Sequence, residues 1–296
     1  MLTITVPGSS ANIGPGFDSF GVAVSRYLKL NVTKSDSWEF NHVGDHIPLV
    51  NHYEDHFIYQ VAKKVASWQQ AKLPPCTVIV DSDIPLARGL GSSASAIIAG
   101  IELVNQLCEL KLTEEEKFHY AVNIEGHADN VAPCLLGGFV VTVKMENLVT
   151  YKKLPAIGTN LVVYIPNFEL KTSDARKVLP ESLPMSEASA ASAISNMMIA
   201  ALLTEDYTLA GQMMEQDLFH ESYRAKLIPN YEAIKRKAKL SGAFGTVISG
   251  AGPTMMSFAP KGVGATIAEK MKKEFPDYEV AALLLDEKGL QVAGKL

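Results

Sequence analysis

The sequence predicts an α+β protein built in two lobes. Three features predict it: β-branched, partly alternating stretches open the chain, helical periodicities dominate its second half, and the two mix without a strict strand–helix–strand repeat. LTITV (2–6), YLKLNVT (27–33) and TVIVDSD (77–83) read as strands from their Val, Ile and Thr content. Between the first two, PGSSANIGPGFDSFG (7–21) is so rich in Gly, Ser and Asn that it is expected to be one long loop, the kind of segment that often carries function. From Ser92 the glycines almost vanish and Ile97, Ile101, Val104 and Leu107 fall at helical spacing, so a helix starts at the serines. Thr113 followed by Glu116 forms a capping box that predicts a second helix over 113–126, and GGFVVTV (137–143) returns to strand.

The chain changes character between Glu146 and Gly158, and NLVVYIP (160–166) begins a fresh strand, which places the lobe boundary at 1–154 and 155–296. Helices are expected over 187–203, 209–227 and 230–240. A hairpin-like stretch (243–260), a helix (264–275) and a terminal strand (278–285) follow. No internal repeat or low-complexity tract is present.

With 296 residues, 47% hydrophobic and 20% charged, the chain can bury a sizeable core and is not a disordered or collagen-like sequence. A net charge of -5 with no Lys/Arg block argues against nucleic acid as a partner. The opening MLTITVPGSS lacks the basic and apolar regions of a secretion signal, and no run reaches the ~18 apolar residues of a membrane span, so a soluble cytoplasmic protein is expected. Cys76, Cys108 and Cys134 are odd in number and far apart, so they are read as buried thiols rather than disulfide partners or zinc ligands. The sequon at Asn31 to Thr33 has no consequence without a secretion route.

IPLARGLGSSASA places Gly89 and Gly91 after a strand and turn and directly before the helix at Ser92. That arrangement suits an anion: glycines let the backbone approach closely, successive N–H groups point inward, and the helix N-terminus adds about half a positive charge. A plain glycine turn capped by serine would look the same at this spacing. It is neither a Walker loop nor a protein-kinase loop, because G-x-x-x-x-G-K-[ST], HRD and DFG are absent.

The pattern from Pro85 to Ala94, PLARGLGSSA, resembles the central motif of the GHMP small-molecule kinases. Two further blocks match in order, PGSSANIGPGFDSFG at the start and SGAGPT at Ser249 to Thr254, so the resemblance covers nearly the whole chain. EGHADNVAPCLLGG (125–138) and TSDARKVLP (172–180) are similar to the branch of that family whose acceptor is homoserine. The resemblance implies a two-lobed fold, with an N-terminal lobe like the second domain of ribosomal protein S5 and a ferredoxin-like C-terminal lobe, ATP and L-homoserine between them, and a homodimer.

By that resemblance ATP lies on Pro85, Leu86, Ala87, Arg88, Gly89, Leu90, Gly91, Ser92, Ser93, Ala94 and Ser95, and Mg2+ is held by Ser93 and Glu125. Asn12 and Asp18 take the substrate's amino end, and Arg176 and Arg224 its carboxylate, which a planar guanidinium can meet with two parallel bonds. Thr172 joins the substrate side, with Lys171 and Lys177 as alternatives to the arginines. Gly250 and Gly252 form a second tight loop over phosphate or substrate. Asn130 and His127 face the reacting hydroxyl, where asparagine cannot be a strong base. The transfer then relies on positioning, with Asp129 as an alternative base or a structural carboxylate.

Each residue also has an ordinary reading: Asx turns for Asn12 and Asp18, surface ion pairs for the arginines, a lysine pair for Glu125, and a hairpin turn for the 250–252 glycines. Another GHMP acceptor and a catalytically silent regulator are the alternative functions. His42, His46, His52 and His56 crowd together without a zinc spacing, and 52–60 is expected to enter a helix near the adenine. Trp68, Phe118 and Met197, Met198, Met213 and Met214 are expected in the core.

Overall fold

A computed structural model describes residues 1–44, 46 and 50–296. The first sheet holds β1 (Leu2–Ala11), β2 (Phe20–Lys34), β3 (Glu39–Val43), β4 (Cys76–Ser82), β5 (Phe139–Met145), β6 (Leu148–Lys153) and β11 (Gln291–Gly294). Its order is β11-β1-β2-β4-β3, with β5 pairing both β2 and β6; every pairing is antiparallel except the parallel β3–β4. Against it pack α2 (Ser92–Leu107) and α4 (Ala128–Leu136), with α1 (Phe57–Trp68) lying on α2 and α3 (Glu114–Glu125) on both α2 and α4.

The second sheet is antiparallel, in the order β10 (Tyr278–Leu283), β7 (Thr159–Pro166), β9 (Met255–Pro260), β8 (Gly245–Ile248). α5 (Thr172–Lys177), α6 (Met185–Leu203), α7 (Tyr207–Met214), α8 (Glu221–Arg224), α9 (Tyr231–Ser241) and α10 (Gly264–Glu274) complete the chain. The mixed α+β class is therefore as read from the sequence.

The unbroken apolar run of β7 has a physical reason. Leu161, Val163 and Ile165 point into the core of the first sheet, while Val162 and Tyr164 point into a second core under α9 and α10. A strand buried on both faces has no polar side to alternate with. One core thus runs from the first sheet into one face of the second, and the two sheets are joined by packing as well as by chain.

Several expectations are corrected. The 7–21 loop is shorter, because β1 runs on to Ala11: Gly8 to Ala11 pair with Val24 to Gly21 after a register shift at Pro7/Gly8, leaving only 12–19 irregular. The helix expected over 209–227 breaks between α7 and α8. There the Asp217 carboxylate accepts from the N–H groups of Phe219, His220 and Glu221, a local competitor to helical bonding. β10 is not the last strand, since the chain returns to pair β11 with β1. Trp68 and Met197 are 41% and 48% exposed, whereas Phe118, Met198 and Met214 are buried. Cys76 and Cys134 are buried but Cys108 is only half-buried. The capping box at Thr113 and Glu116 forms as expected.

Candidate active site

The first functional element is the turn into α2. Gly91 sits at the helix N-cap with φ +72° and offers no capping side chain, so the first-turn N–H groups of α2 are left for another acceptor. The serine-capped turn is therefore not what forms: Ser92 is already helical. A Cβ on Gly91 would overlap Ser9 Oγ and lie 2.8 Å from the Ser9 backbone nitrogen, and one on Gly89 (φ +77°) would overlap the carbonyl of Ser249. Glycine is required at both positions by conformation and by contact. Ser249 Oγ donates its one hydrogen to the carbonyl of Gly89 at 2.6 Å and accepts from the Ser10 hydroxyl at 2.8 Å, which fastens the 249–254 loop to the glycine turn.

Beside that turn Ser93 Oγ donates to Glu125 Oε2 at 2.8 Å. Burial raises the Glu125 carboxyl above its ordinary range, and the Ser93 bond offsets part of that. One turn on, Asn130 Oδ1 accepts from Ser9 Oγ at 2.9 Å, and Ser9 Oγ in turn accepts from Cys134. Burial pushes Cys134 up to about 12, so it is an inert thiol here. Asp129 is buried, and desolvation together with nearby Asp18 pushes its carboxyl up to about 7. His127 is lowered by burial and by Arg176.

Opposite stand the charged groups. Arg176 and Asp18 meet in a two-pronged ion pair (Nη2–Oδ1 2.7 Å, Nη1–Oδ2 3.3 Å), so two side chains expected at opposite ends of the substrate hold each other. Asn12 plays the structural part: Oδ1 accepts from the Asp18 N–H at 3.0 Å, and Nδ2 donates to the Gly250 carbonyl at 2.8 Å. Arg224 is only 1% exposed, not a surface cation, and burial lowers it to about 10. Both guanidinium groups lie over the ring of Phe17, at 5.6 and 5.5 Å.

One cleft is lined by Asn12, Asp18, Pro85, Ala87 to Ser93, Glu125, His127, Asp129, Asn130, Thr172, Arg176, Arg224, Gly250 and Gly252. Leu86 and Ser95 instead line an adjoining apolar pocket with Phe57, Ile58 and Val80, and Ala94 is buried beneath the loop. Arg88 is spent on the carbonyls of Pro166 and Leu86. Lys171 borders the apolar pocket, and Lys177 pairs with Asp174 at the surface. In the histidine-rich stretch, part of which lies outside the described residues, His42 and His56 meet ring nitrogen to ring nitrogen at 3.0 Å, and His56 also lines that pocket. Sequence reading missed Ser9, Phe17, His220 and Ser249. Ser9, Phe17 and Ser249 lie within the matched blocks 7–21 and 249–254 but act on residues distant in the chain, and His220 stands four residues before Arg224, a spacing that an ordinary helix face shares.

Residues 56–138 match the family model of the GHMP kinases N terminal domain, and 198–277 that of the GHMP kinases C terminal. The chain belongs to the GHMP kinases, ATP-dependent enzymes that phosphorylate a hydroxyl. Within that family it falls among the homoserine kinases. It is 50% identical over 291 residues to the homoserine kinase of Oceanobacillus iheyensis, covering 98% of each chain, and 47% identical over 290 residues to that of Listeria innocua, covering 97% and 98%. The solved homoserine kinase of Cytophaga hutchinsonii superposes with TM-score 0.86 at 29% identity over 99% of this chain and 97% of that one. Leishmania major mevalonate kinase (TM-score 0.74, 18% identity, 96% and 95% covered) shares the fold alone.

Proposed function

We propose that the chain transfers the γ-phosphoryl group of ATP to the side-chain hydroxyl of L-homoserine, giving ADP and O-phospho-L-homoserine for threonine biosynthesis. The observation that carries this is the single cleft in which an anion-binding helix start faces a carboxylate and two arginines, a set matched to a zwitterion. The triphosphate rests on the free N–H groups of α2 and the glycine turns, with the adenine in the apolar pocket beside Leu86 and Phe57. Asp18 takes the ammonium and Arg176 and Arg224 the carboxylate, exchanging their mutual bond for bonds to the substrate.

Ser93 and Glu125 fit a magnesium site, because two oxygen donors already meet beside the phosphate turn. When bound, the ion supplies charge neutralisation to the phosphates. Asn130, held by Ser9, orients the hydroxyl; the new P–O bond forms as the bond to the ADP oxygen breaks, and the hydroxyl proton leaves to the transferred phosphoryl group. A homodimer rests on the family resemblance alone, and a cytoplasmic location on the composition of the chain.

ATP consumption with magnesium, measured with L-homoserine, mevalonate, shikimate, galactose and no acceptor, tests the reading. Turnover confined to homoserine is expected; turnover only with another acceptor would overturn the substrate assignment, and none at all would favour a silent regulator. Glu125→Gln should raise the magnesium concentration needed for half-maximal rate by about tenfold, the loss of one charged ligand contact, with homoserine KM unchanged. A magnesium titration checks this.

Asp129 carries a pH prediction. Its carboxyl is protonated below about pH 7, so kcat/KM for homoserine should bend near that pH, and Asp129→Asn should flatten the bend. Because positioning carries the transfer, kcat of the variant should stay within about tenfold. A fall of about 10³ or more would make Asp129 the base.

A further inference from the structure

Arg224 is held by a set of contacts that leaves one of its nitrogens for a ligand. Nε donates to the Ala175 carbonyl at 3.2 Å, and Nη1 donates to the Gly250 carbonyl at 3.2 Å and to His220 Nδ1 at 3.1 Å. Among the described residues Nη2 has no protein partner, and Arg224 lines the cleft. His220 itself is fully buried. Its other nitrogen, Nε2, lies 3.0 Å from the carbonyl of Gly14 in the 12–19 loop, and its ring stacks on Phe17 with centroids 5.3 Å apart.

The two partners dictate the proton's position. A carbonyl only accepts, so Nε2 carries the hydrogen; a guanidinium only donates, so Nδ1 must present its lone pair. Both requirements are met by one neutral tautomer and by no other form of the ring. Burial lowers the His220 pKa to about 4, so that form persists throughout the neutral range. Nearby Asp217 does not compete, since its carboxylate is engaged by three backbone N–H groups.

We infer that His220 is a positioning residue for substrate specificity: its Nδ1 fixes the Arg224 guanidinium so that Nη2 faces the acceptor's carboxylate, while its Nε2–H ties that arginine to the loop carrying Asp18. This rests on the reading of Arg224 as the carboxylate partner. The consequence is that His220 links the carboxylate subsite to the ammonium subsite through Arg224 on one side and Gly14 on the other, beside the second link that runs from Arg224 through the Gly250 carbonyl and Asn12 to Asp18. An acceptor without a carboxylate gains nothing from the arrangement.

The test compares kcat/KM for L-homoserine with that for 3-aminopropan-1-ol, the same amino alcohol without the carboxylate. His220→Phe keeps the ring and its stack on Phe17 but removes both nitrogens; it should lower the homoserine preference by about tenfold, the size of one lost hydrogen bond to a charged group, with ATP KM within about twofold. His220→Asn places an acceptor near the Nδ1 position and should restore most of the preference. His220→Gln places its polar end near Nε2 and should not. Should the Phe variant fail to fold by thermal denaturation, the Asn and Gln pair decides alone. An unchanged preference in His220→Phe or His220→Gln, or equal rises in both KM values, overturns the inference. Arg224→Ala, run in parallel, separates the two levels: if it keeps the preference, the carboxylate reading falls and the inference with it. If it loses the preference while the His220 variants keep it, only the role of His220 falls.

Discussion

Gly91→Ala is expected to cut ATP turnover by about 10²- to 10³-fold while leaving the protein folded. The residue has φ +72°, where a side chain costs about 1–2 kcal/mol, and the added Cβ would overlap Ser9 Oγ with the Ser9 backbone close behind. Ser9 lies in a strand paired along its length, so the turn yields rather than the strand. Displacing the α2 N-terminus by about 1 Å misplaces the triphosphate, and errors of that size cost roughly 10²-fold in positioned reactions. Because Ser9 also holds Asn130, the acceptor hydroxyl suffers with it. Steady-state rates at saturating ATP, set beside a thermal melt, check this. Activity within about threefold of the parent would show that the N–H groups of this turn do not hold the phosphates.

Arg224→Ala should raise the homoserine KM far more than that of ATP, with kcat/KM for homoserine falling roughly 10- to 150-fold, the range for a lost bond to a charged group. Arg224→Lys should recover little, because an ammonium cannot reproduce the fork that meets Ala175, Gly250 and His220 together. Initial rates with each substrate varied in turn settle the matter, and equal rises for homoserine and ATP would sink the assignment.

The glycine turn into α2 was legible because it is local. Two glycines and a helix start within ten residues place free backbone N–H groups at one point, although a serine-capped turn has the same spacing. The charged half of the cleft was readable only as a list of residue types. Arg224, near the end of a stretch (209–227) that reads as helix, looks like a surface cation in sequence, and Asp18 and Arg176 show no sign that they pair across 158 positions.

The sequence by itself determined the strand and helix types, the capping of α3, the glycine turn into α2 and the mixed α+β class, since these rest on backbone preference and on apolar spacing over a few residues. Only the tertiary structure decided where the strand run of β1 ends, that β11 returns to the first sheet, that Asp217 breaks the helix before Arg224, and that His220 sits between Gly14 and Arg224. The strand pairings and the His220–Gly14 contact join residues 10 to 292 positions apart, and a hydrogen-bond partner supplied from across the fold leaves no periodicity in the chain that it satisfies. The bonds of Asp217 and of His220 to Arg224 span only two to four positions, but their residue types fit a helix equally well.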